Sequence, residues 1–580
     1  MSEVMDIEHM LNPDHIAVEI ADQFREWDMY RESWVEQTKE LRNYLYATDT
    51  TTTSNSLLPW SNTTTTPKLT QIADNLHANY FATLFPQQKW MRWEGKSRES
   101  SSVEKIRVIE HYMVSKVKDS GFVSTVSELL VDWIHTGNCF GLVEWEMDYK
   151  MSEDGTSTTR YIGPKLHRIS PYDVVFNPAV KEFAKSPKII RTLKSIGELK
   201  RDVESDPSNV AMAEAFDKMM RSRHSVASAD VSGDKSSGFV ADGFNSIQQY
   251  YASDYVEILT FYGDMYDKES NKLMKDRVIT IMDRAHTLNN TENTSWSGSA
   301  PIFHAGWRTR PDNLYGMGPL DNLVGMQYRI DHLENLKADV FDQIAYPILK
   351  IKGDVEDFEF APASRIYLGE EGDVAYLTPD ASALQADMQI DRLEAKMEEM
   401  AGAPKQAMGI RTAGEKTAFE VQSLQNASSR IFEHKAAHFE RMFLEPILNT
   451  MLEFGRRNLQ AQEEIKVIDE ATGSEFFTTI QKSDIIGNGA ISPVGARHFA
   501  ERARRVQSIT QLAQIKAQDP TIAPHMSGKQ MAKILAEELG EPKLYGENIG
   551  VQEQLETQQA SQDAEAENME ELQTAADRGI

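Results

Sequence analysis

The sequence predicts an α+β protein, mainly α-helical, in which long helices carry small β elements. Apolar residues recur at helical spacing over stretches longer than one small core requires. Two blocks of period-two alternation, bounded by turn residues, interrupt those helices. The chain has 580 residues, 40% of them hydrophobic and 26% charged. One core does not serve that length, so about three or four substructures are expected.

The elements follow in order. "HIAVEIADQFREWDMYRESWVEQTKELRNYLY", His15 to Tyr46, places Ile20, Phe24, Trp27, Trp34 and Leu41 on one stripe and predicts a long amphipathic helix. The threonine-rich "ATDTTTTSNSLLPWSNTTTTPK" disfavours helix and predicts an extended loop. A helix then starts after Pro67 and stops at Pro86, and further helices are expected over 103–118 and 123–135. "CFGLVEWEMDYK" and "TRYIGPKLHRI", joined through Asp154-Gly155, read as paired strands, and "SPYDVVFNP" as a further sheet edge. Residues 222–243 are rich in glycine and serine and predict a mobile surface loop, after which "DYVEILTFYGDMYD" and "DRVITIMDR" resume the sheet.

From Gly318-Pro319 to Pro347, Leu320, Leu323, Ile330, Leu333, Val340, Phe341 and Ile344 keep helical spacing and predict a helix of about 40 Å. Four strand-like pieces follow: "ILKIKG", "DFEFA", "RIYLG" and "VAYLT". Asp380 can cap a returning helix carrying Leu384, Met388, Leu393, Met397 and Met400, until Gly402 and Pro404 end it. A third helix, from Thr417 through Phe454, would span nearly 60 Å, and Pro446 is expected to bend it. "IKVIDE" and "EFFTTIQ" read as a hairpin, two helices follow it, and the polar, acidic stretch 551–580 is expected to stay disordered.

Two motifs come close to known chemistry and miss it. "GIRTAGEKTAFE" spaces Gly409 and Gly414 as a phosphate loop does, but Glu415 stands where the lysine belongs, and Lys416 and Thr417 come one residue late. Thr417 with Glu420 instead forms a capping box at the start of the helix, which explains the stretch without a nucleotide. His434 and His438 lie four apart, but Lys435 replaces the glutamate that would activate water, so they are read as ordinary helix residues and no metal is expected. No catalytic residues and no cofactor are assigned, and the chain is not expected to be an enzyme. Cys139, the one cysteine, allows no internal disulfide and is expected to be a buried thiol. No apolar run approaches the roughly 20 residues of a membrane span, and the N-terminus lacks the pattern of a secretory signal.

A formal charge of −28 argues against tight DNA binding, which draws on lysine and arginine, but not against a wall along which DNA slides. Cations gather at Lys405, Arg411 and Lys416 and at Arg497, Arg502, Arg504 and Arg505; the second group is read as a solvated helix face.

Three segments together resemble the portal proteins, or head-to-tail connectors, of short-tailed bacteriophages: "YGMGPLDNLVGMQYRIDHLENLKADV", "GIRTAGEKTAFEVQSLQNASSRI" and "FERMFLEPIL". The matching positions are Tyr315, Gly316, Leu333 to Asn335, Gly414, Glu415, Thr417, Ala418 and Glu420, with "SPYDVVFNP" a weaker match. The strong match covers about a quarter of the chain. The resemblance implies a portal-like subunit of a ring, typically of twelve copies, at one capsid vertex of the virion, assembled in the host cytoplasm. Double-stranded DNA would be packaged through its channel by a separate terminase motor and later ejected. Tail adaptor proteins and the major capsid and scaffold proteins would be further partners, with no membrane involved.

On that pattern 1–314 is an α+β wing, 315–346 a stem helix running out, 347–379 a β clip and 380–401 the stem helix back. Residues 402–416 form a channel loop with Lys405, Arg411 and Lys416 near DNA, and 417–460 a long wing helix. A wing β segment (461–498), a helical crown-like region (499–550) and the tail (551–580) complete it. Other readings of the residues are a packaging ATPase or nuclease, and a protein-only scaffold or tail adaptor. If the channel assignment holds, neutralising Lys405, Arg411 and Lys416 together leaves rings intact and impairs DNA retention or packaging; unchanged packaging would contradict it.

Overall fold

Helix α1 (His15–Leu45) of the computed structural model buries Ile20, Phe24, Trp27, Trp34 and Leu41, as the 3.6-residue stripe predicts. The structure describes residues 14–46, 62–86, 90–97, 100, 102–151, 157–205, 209–227, 252–267, 271–293, 300–346, 348–353, 367, 373–377, 385–401, 431–459, 462–468 and 475–495. Helix and strand are mixed, with helix in the majority. Contacts divide the chain into two units, one of Met1–Glu463 with Ile480–Pro493, the other of Glu464–Thr479 with Val494–Ile580.

In the first unit, α1 is followed by α2 (Lys68–Leu84), β1 (Met91–Gly95), α3 (Val103–Asp119) and α4 (Phe122–His135). Strands β2 (Asn138–Met151) and β3 (Ser157–Ile169) pair antiparallel from Phe140 opposite Ile169 to Met151 opposite Ser157. Next come β4 (Val174–Phe176), β5 (Lys188–Ser195), α5 (Ile196–Ser205), α6 (Val210–Ala227), β6 (Tyr255–Asp267), β7 (Lys272–Met282) and β8 (His286–Glu292). These five strands form one antiparallel sheet in the order β4-β5-β6-β7-β8, so β4 is the edge that "SPYDVVFNP" predicts.

Alternation along β6 sends Leu259 and Phe261 toward Ala17, Ile20, Phe24 and Trp27 of α1, and Val256 and Ile258 toward Leu199 of α5 and Phe216 and Met219 of α6. Both sheet faces are thereby covered. Strand β9 (Ile302–Gly306) pairs with β2 and completes a three-stranded sheet.

The hairpin of β10 (Arg308–Arg310) and β11 (Asn313–Met317) leads to a 3₁₀ turn, Asp321–Leu323, and then to α7 (Val324–Ala345). Strands β12 (Ile348–Lys352) and β13 (Asp373–Leu377) pair antiparallel, and α8 (Asp387–Ala401) follows. After helix α9 (residues 431–439) a π turn, Glu440–Leu444, joins α10 (Glu445–Asn458). Helix α11 (Lys482–Ile485) precedes a last strand of this unit, Gly489–Pro493, which pairs with β1. In the second unit, the strands Gln462–Ile468, which begins at the boundary, and Glu475–Gln481 form the expected two-stranded sheet.

Four expectations are corrected. Residues 222–227 belong to α6 rather than to a loop: Ser222 and Arg223 are buried, with the Ser222 hydroxyl bonded to carbonyls of its own helix and Arg223 paired to Asp283 at 2.6 Å. Small polar residues suggested a loop by composition, but each finds a partner in the fold; 228–243 lies outside the described residues. The outgoing helix begins at Val324 rather than at Pro319, because the Asp321 carboxylate accepts from the Gly318 amide at 2.7 Å and holds a 3₁₀ turn first. Pro446 sits in the first turn of α10, and the π turn before it takes up the missing amide without breaking the helical path. Phe341, Ile344, Met388 and Met400 of the expected stripes are exposed.

The root of α7 explains "YGMG". Tyr315 stacks on Trp34 and Phe176 with ring centroids 5.1 and 4.5 Å away. The Asn138 carboxamide bonds both the amide (2.8 Å) and the carbonyl (3.1 Å) of Gly316. A Cβ on Gly316 would stand 2.6 Å from the Gly137 carbonyl oxygen and 3.0 Å from the Gly306 Cα, both backbone atoms that cannot yield separately. Gly316→Ala should therefore cost about 2 kcal/mol and lower the melting temperature by several degrees. A melting temperature equal to that of the parent chain in thermal denaturation would contradict this packing.

Candidate functional site

The helix α7, the β12–β13 hairpin and the helix α8 form one helix–hairpin–helix, and its fastening is polar. Residues Gln327, Asp331, Asn335 and Asp339 fall four apart on α7, and all four are buried. Four helical residues rise about 6.0 Å, whereas two extended residues rise about 6.6 Å. A strand-like segment laid along that row therefore meets a side chain at every second residue.

Residues 62–66, Asn-Thr-Thr-Thr-Thr, do this. The Asn62 amide donates to Asp339 Oδ1 (2.6 Å), the Thr64 amide to Asn335 Oδ1 (2.8 Å) and the Thr66 amide to Asp331 Oδ1 (2.9 Å). In return Asn335 Nδ2 donates to the Thr64 carbonyl at 3.0 Å and Gln327 Nε2 to that of Thr66. The Asn62 side chain adds bonds to Asp339 and Asp342. The strap ends at Pro67, whose φ of −78° and ψ of 59° make an inverse γ-turn closed by Lys68 N to Thr66 O at 2.7 Å. The next residue, Lys68, carries its ammonium to Glu398 (2.8 Å) and Glu394 (3.2 Å) of α8 and to Gln71 (3.0 Å).

Burial sets the charge states here. It pushes the Asp331 carboxyl up to about 6 against the bonds from Thr66 and Gln327, and the Asp321 carboxyl likewise to about 6 against the Gly318 amide. At Lys68 burial favours the neutral amine, but the bonds to Glu398 and Glu394 prevail and hold its pKa above the ordinary lysine value.

Farther along, the outer faces are apolar and exposed: Phe341 and Ile344 on α7, then Tyr346, Ile348, Ile351 and Leu377 at the hairpin, and Met388 and Met400 on α8. The strap thus covers a polar row on α7, and apolar residues are left uncovered past its end.

The sequence-predicted site residues Lys405, Arg411, Lys416, Thr417 and Glu420 lie outside the described residues, as do Asp380 and the C-terminal cations Arg497, Arg502, Arg504 and Arg505. Among the described residues no group of three or more histidine, cysteine or carboxylate side chains could hold a metal ion. His434 is exposed, and burial, with nearby Lys435, holds His438 below the usual histidine value. The Lys435 ammonium lies 4.2 Å from the centroid of the Trp307 ring and donates to the Trp307 carbonyl. Cys139 is fully buried, and burial pushes its thiol pKa up, which suits an unreactive core residue.

Lys188 is the most perturbed lysine: burial lowers it to about 7, and its amine is spent on the Phe183 and Ala184 carbonyls at 2.8 and 3.1 Å. No described helix is long and apolar enough to cross a membrane. The sequence reading missed the strap, although the four-residue spacing of Gln327, Asp331, Asn335 and Asp339 was its signal.

No protein-family model matches the chain, and no curated protein matches it either.

Two variants test the ladder. Asn335→Ala leaves the Thr64 amide and carbonyl without partners and should cost about 1–3 kcal/mol by chemical denaturation; a loss too small to measure would contradict it. Asp331 has a folded pKa above its unfolded value, so its contribution to stability is lost as pH rises from about 4 through about 6. Asp331→Asn keeps an acceptor for Thr66, so it should flatten the decline of melting temperature across that window and raise stability at pH 7.5. A decline as steep as that of the parent chain would contradict this.

Proposed function

We propose that this chain is the subunit of a portal-type ring, a non-enzymatic conduit through which double-stranded DNA enters and leaves a bacteriophage capsid. The observation that carries the reading is the helix–hairpin–helix that projects past its fastening with its apolar residues uncovered. Phe341 is 53% exposed, Tyr346 79%, Ile348 65% and Met388 81%. Fully burying one such side chain gains about 1.5–3 kcal/mol, so a row of them favours repeated contact between copies. A row along an elongated element suits a closed ring, in which each copy presents the same faces to its neighbours.

Charge supports the same reading. Each copy carries −28, and a ring multiplies it. Repulsion acting over a Debye length of about 8 Å keeps phosphates from docking on the wall while leaving passage open. The three cations of 402–416 would supply weak, salt-sensitive contact, and the β12–β13 hairpin would meet the packaging motor and tail proteins.

Mass photometry and negative-stain images of the purified chain at micromolar concentration test the proposal. Closed rings with a lumen wide enough for a duplex are expected. Phe341→Asp with Ile348→Asp should dissolve them into folded single copies, since both side chains are already exposed in the single chain. Compact monomers of the parent chain under all assembly conditions would refute the reading.

A further inference from the structure

Resting on that reading, we infer that Lys68 is the positioning residue of the return helix α8, and through it of the DNA path. Helix α8 has little else to hold it: Ile390, Met397 and Ala401 are its buried apolar residues, whereas Met388 and Met400 face solvent. Its fastening to the rest of the unit is ionic at both ends. At the start Asp387 accepts from Lys337 of α7 at 2.6 Å, in an exposed pair that solvent screens. Toward the end Glu394 and Glu398, one turn apart on one face, converge on the ammonium of Lys68, which is only 6% exposed.

The two ends differ in consequence. An exposed pair can be lost to water, but removing the cation between two carboxylates on a packed face leaves like charges together without a counterion. Lys68 is itself held from behind, by the inverse γ-turn at Pro67 and by Gln71 of its own helix. The strap fixes α7 through main-chain bonds, and the residue that ends it fixes α8. One continuous segment, 62–68, therefore sets both helices of the pair. Ala401 ends the described part of α8, and Lys405 follows four residues later in the sequence.

The test uses the full chain as assembled rings, with retention of a double-stranded DNA fragment and hydrogen exchange over 387–401 as readouts. The variant with Lys405, Arg411 and Lys416 all changed to alanine serves as reference. Lys68→Met should speed exchange over 394–401 by roughly tenfold and reduce DNA retention toward that of the reference, with exchange in the five-stranded sheet unchanged. Lys68→Arg, which restores a cation to both carboxylates, should recover most of the retention. Should Lys68→Met fail to assemble, Glu398→Gln, which keeps the Glu394 pair, should give a smaller loss in the same direction. If the reference loses retention and neither Lys68→Met nor Glu398→Gln does, the positioning role is refuted. If the reference itself retains DNA fully, the portal reading fails first.

Discussion

Everything beyond the sheets hangs on a match of two rises. An extended chain and an α-helix cannot pair as two strands do, because the helix has spent its own main-chain groups. They can pair if the helix offers side chains, and two extended residues cover nearly the length of four helical ones. Residues 62–66 and the row 327, 331, 335 and 339 use that coincidence. Buried polar side chains are costly when unpaired, so this row would be a poor face for a helix without the strap, and the strap would be an unsatisfied loop without the row.

That joint divides the helix–hairpin–helix into two regimes. Near the root, Gly316 is clamped by Asn138, and Tyr315 lies between Trp34 and Phe176, so the helix leaves the body at a set point. Along the strap it is held by polar contacts to its own chain. Past Asp342 the outward residues are Phe341, Ile344, Tyr346 and Ile348, whose exposure in a single copy is what an assembly would relieve. The polar stretch specifies one geometry within the chain, and the apolar stretch is available to other chains.

Much of this architecture was legible in the residues. The stripe of α1, the Val103–Asp119 and Phe122–His135 helices, the β2–β3 pair and the edge position of β4 follow from periodicity and turn chemistry. The outgoing helix was legible in existence but misread in its facing. A reading that weighs apolar residues put Phe341 and Ile344 inward, whereas the buried row is Gln327, Asp331, Asn335 and Asp339. Their partner lies more than 250 residues away in sequence, and hydrogen bonds to a distant main chain leave no period in the partner. The same holds at Ser222 and Arg223, where long-range bonds overrode a loop-like composition. At Pro446 the π turn was hidden, because local sequence shows the missing amide but not how the preceding turn takes it up. Of the candidate site, the cations of 402–416 were found by composition, whereas Lys68 was passed over as one lysine after a proline.

The most direct measurement is a cryo-electron-microscopy reconstruction of the purified assembly viewed along its axis. The account predicts a closed ring around a lumen that admits a duplex, with Phe341, Ile344 and Ile348 of each copy against its neighbour and the strap still lying along its helix. A reconstruction in which those side chains face solvent, or in which the copies do not close around a lumen, would contradict it.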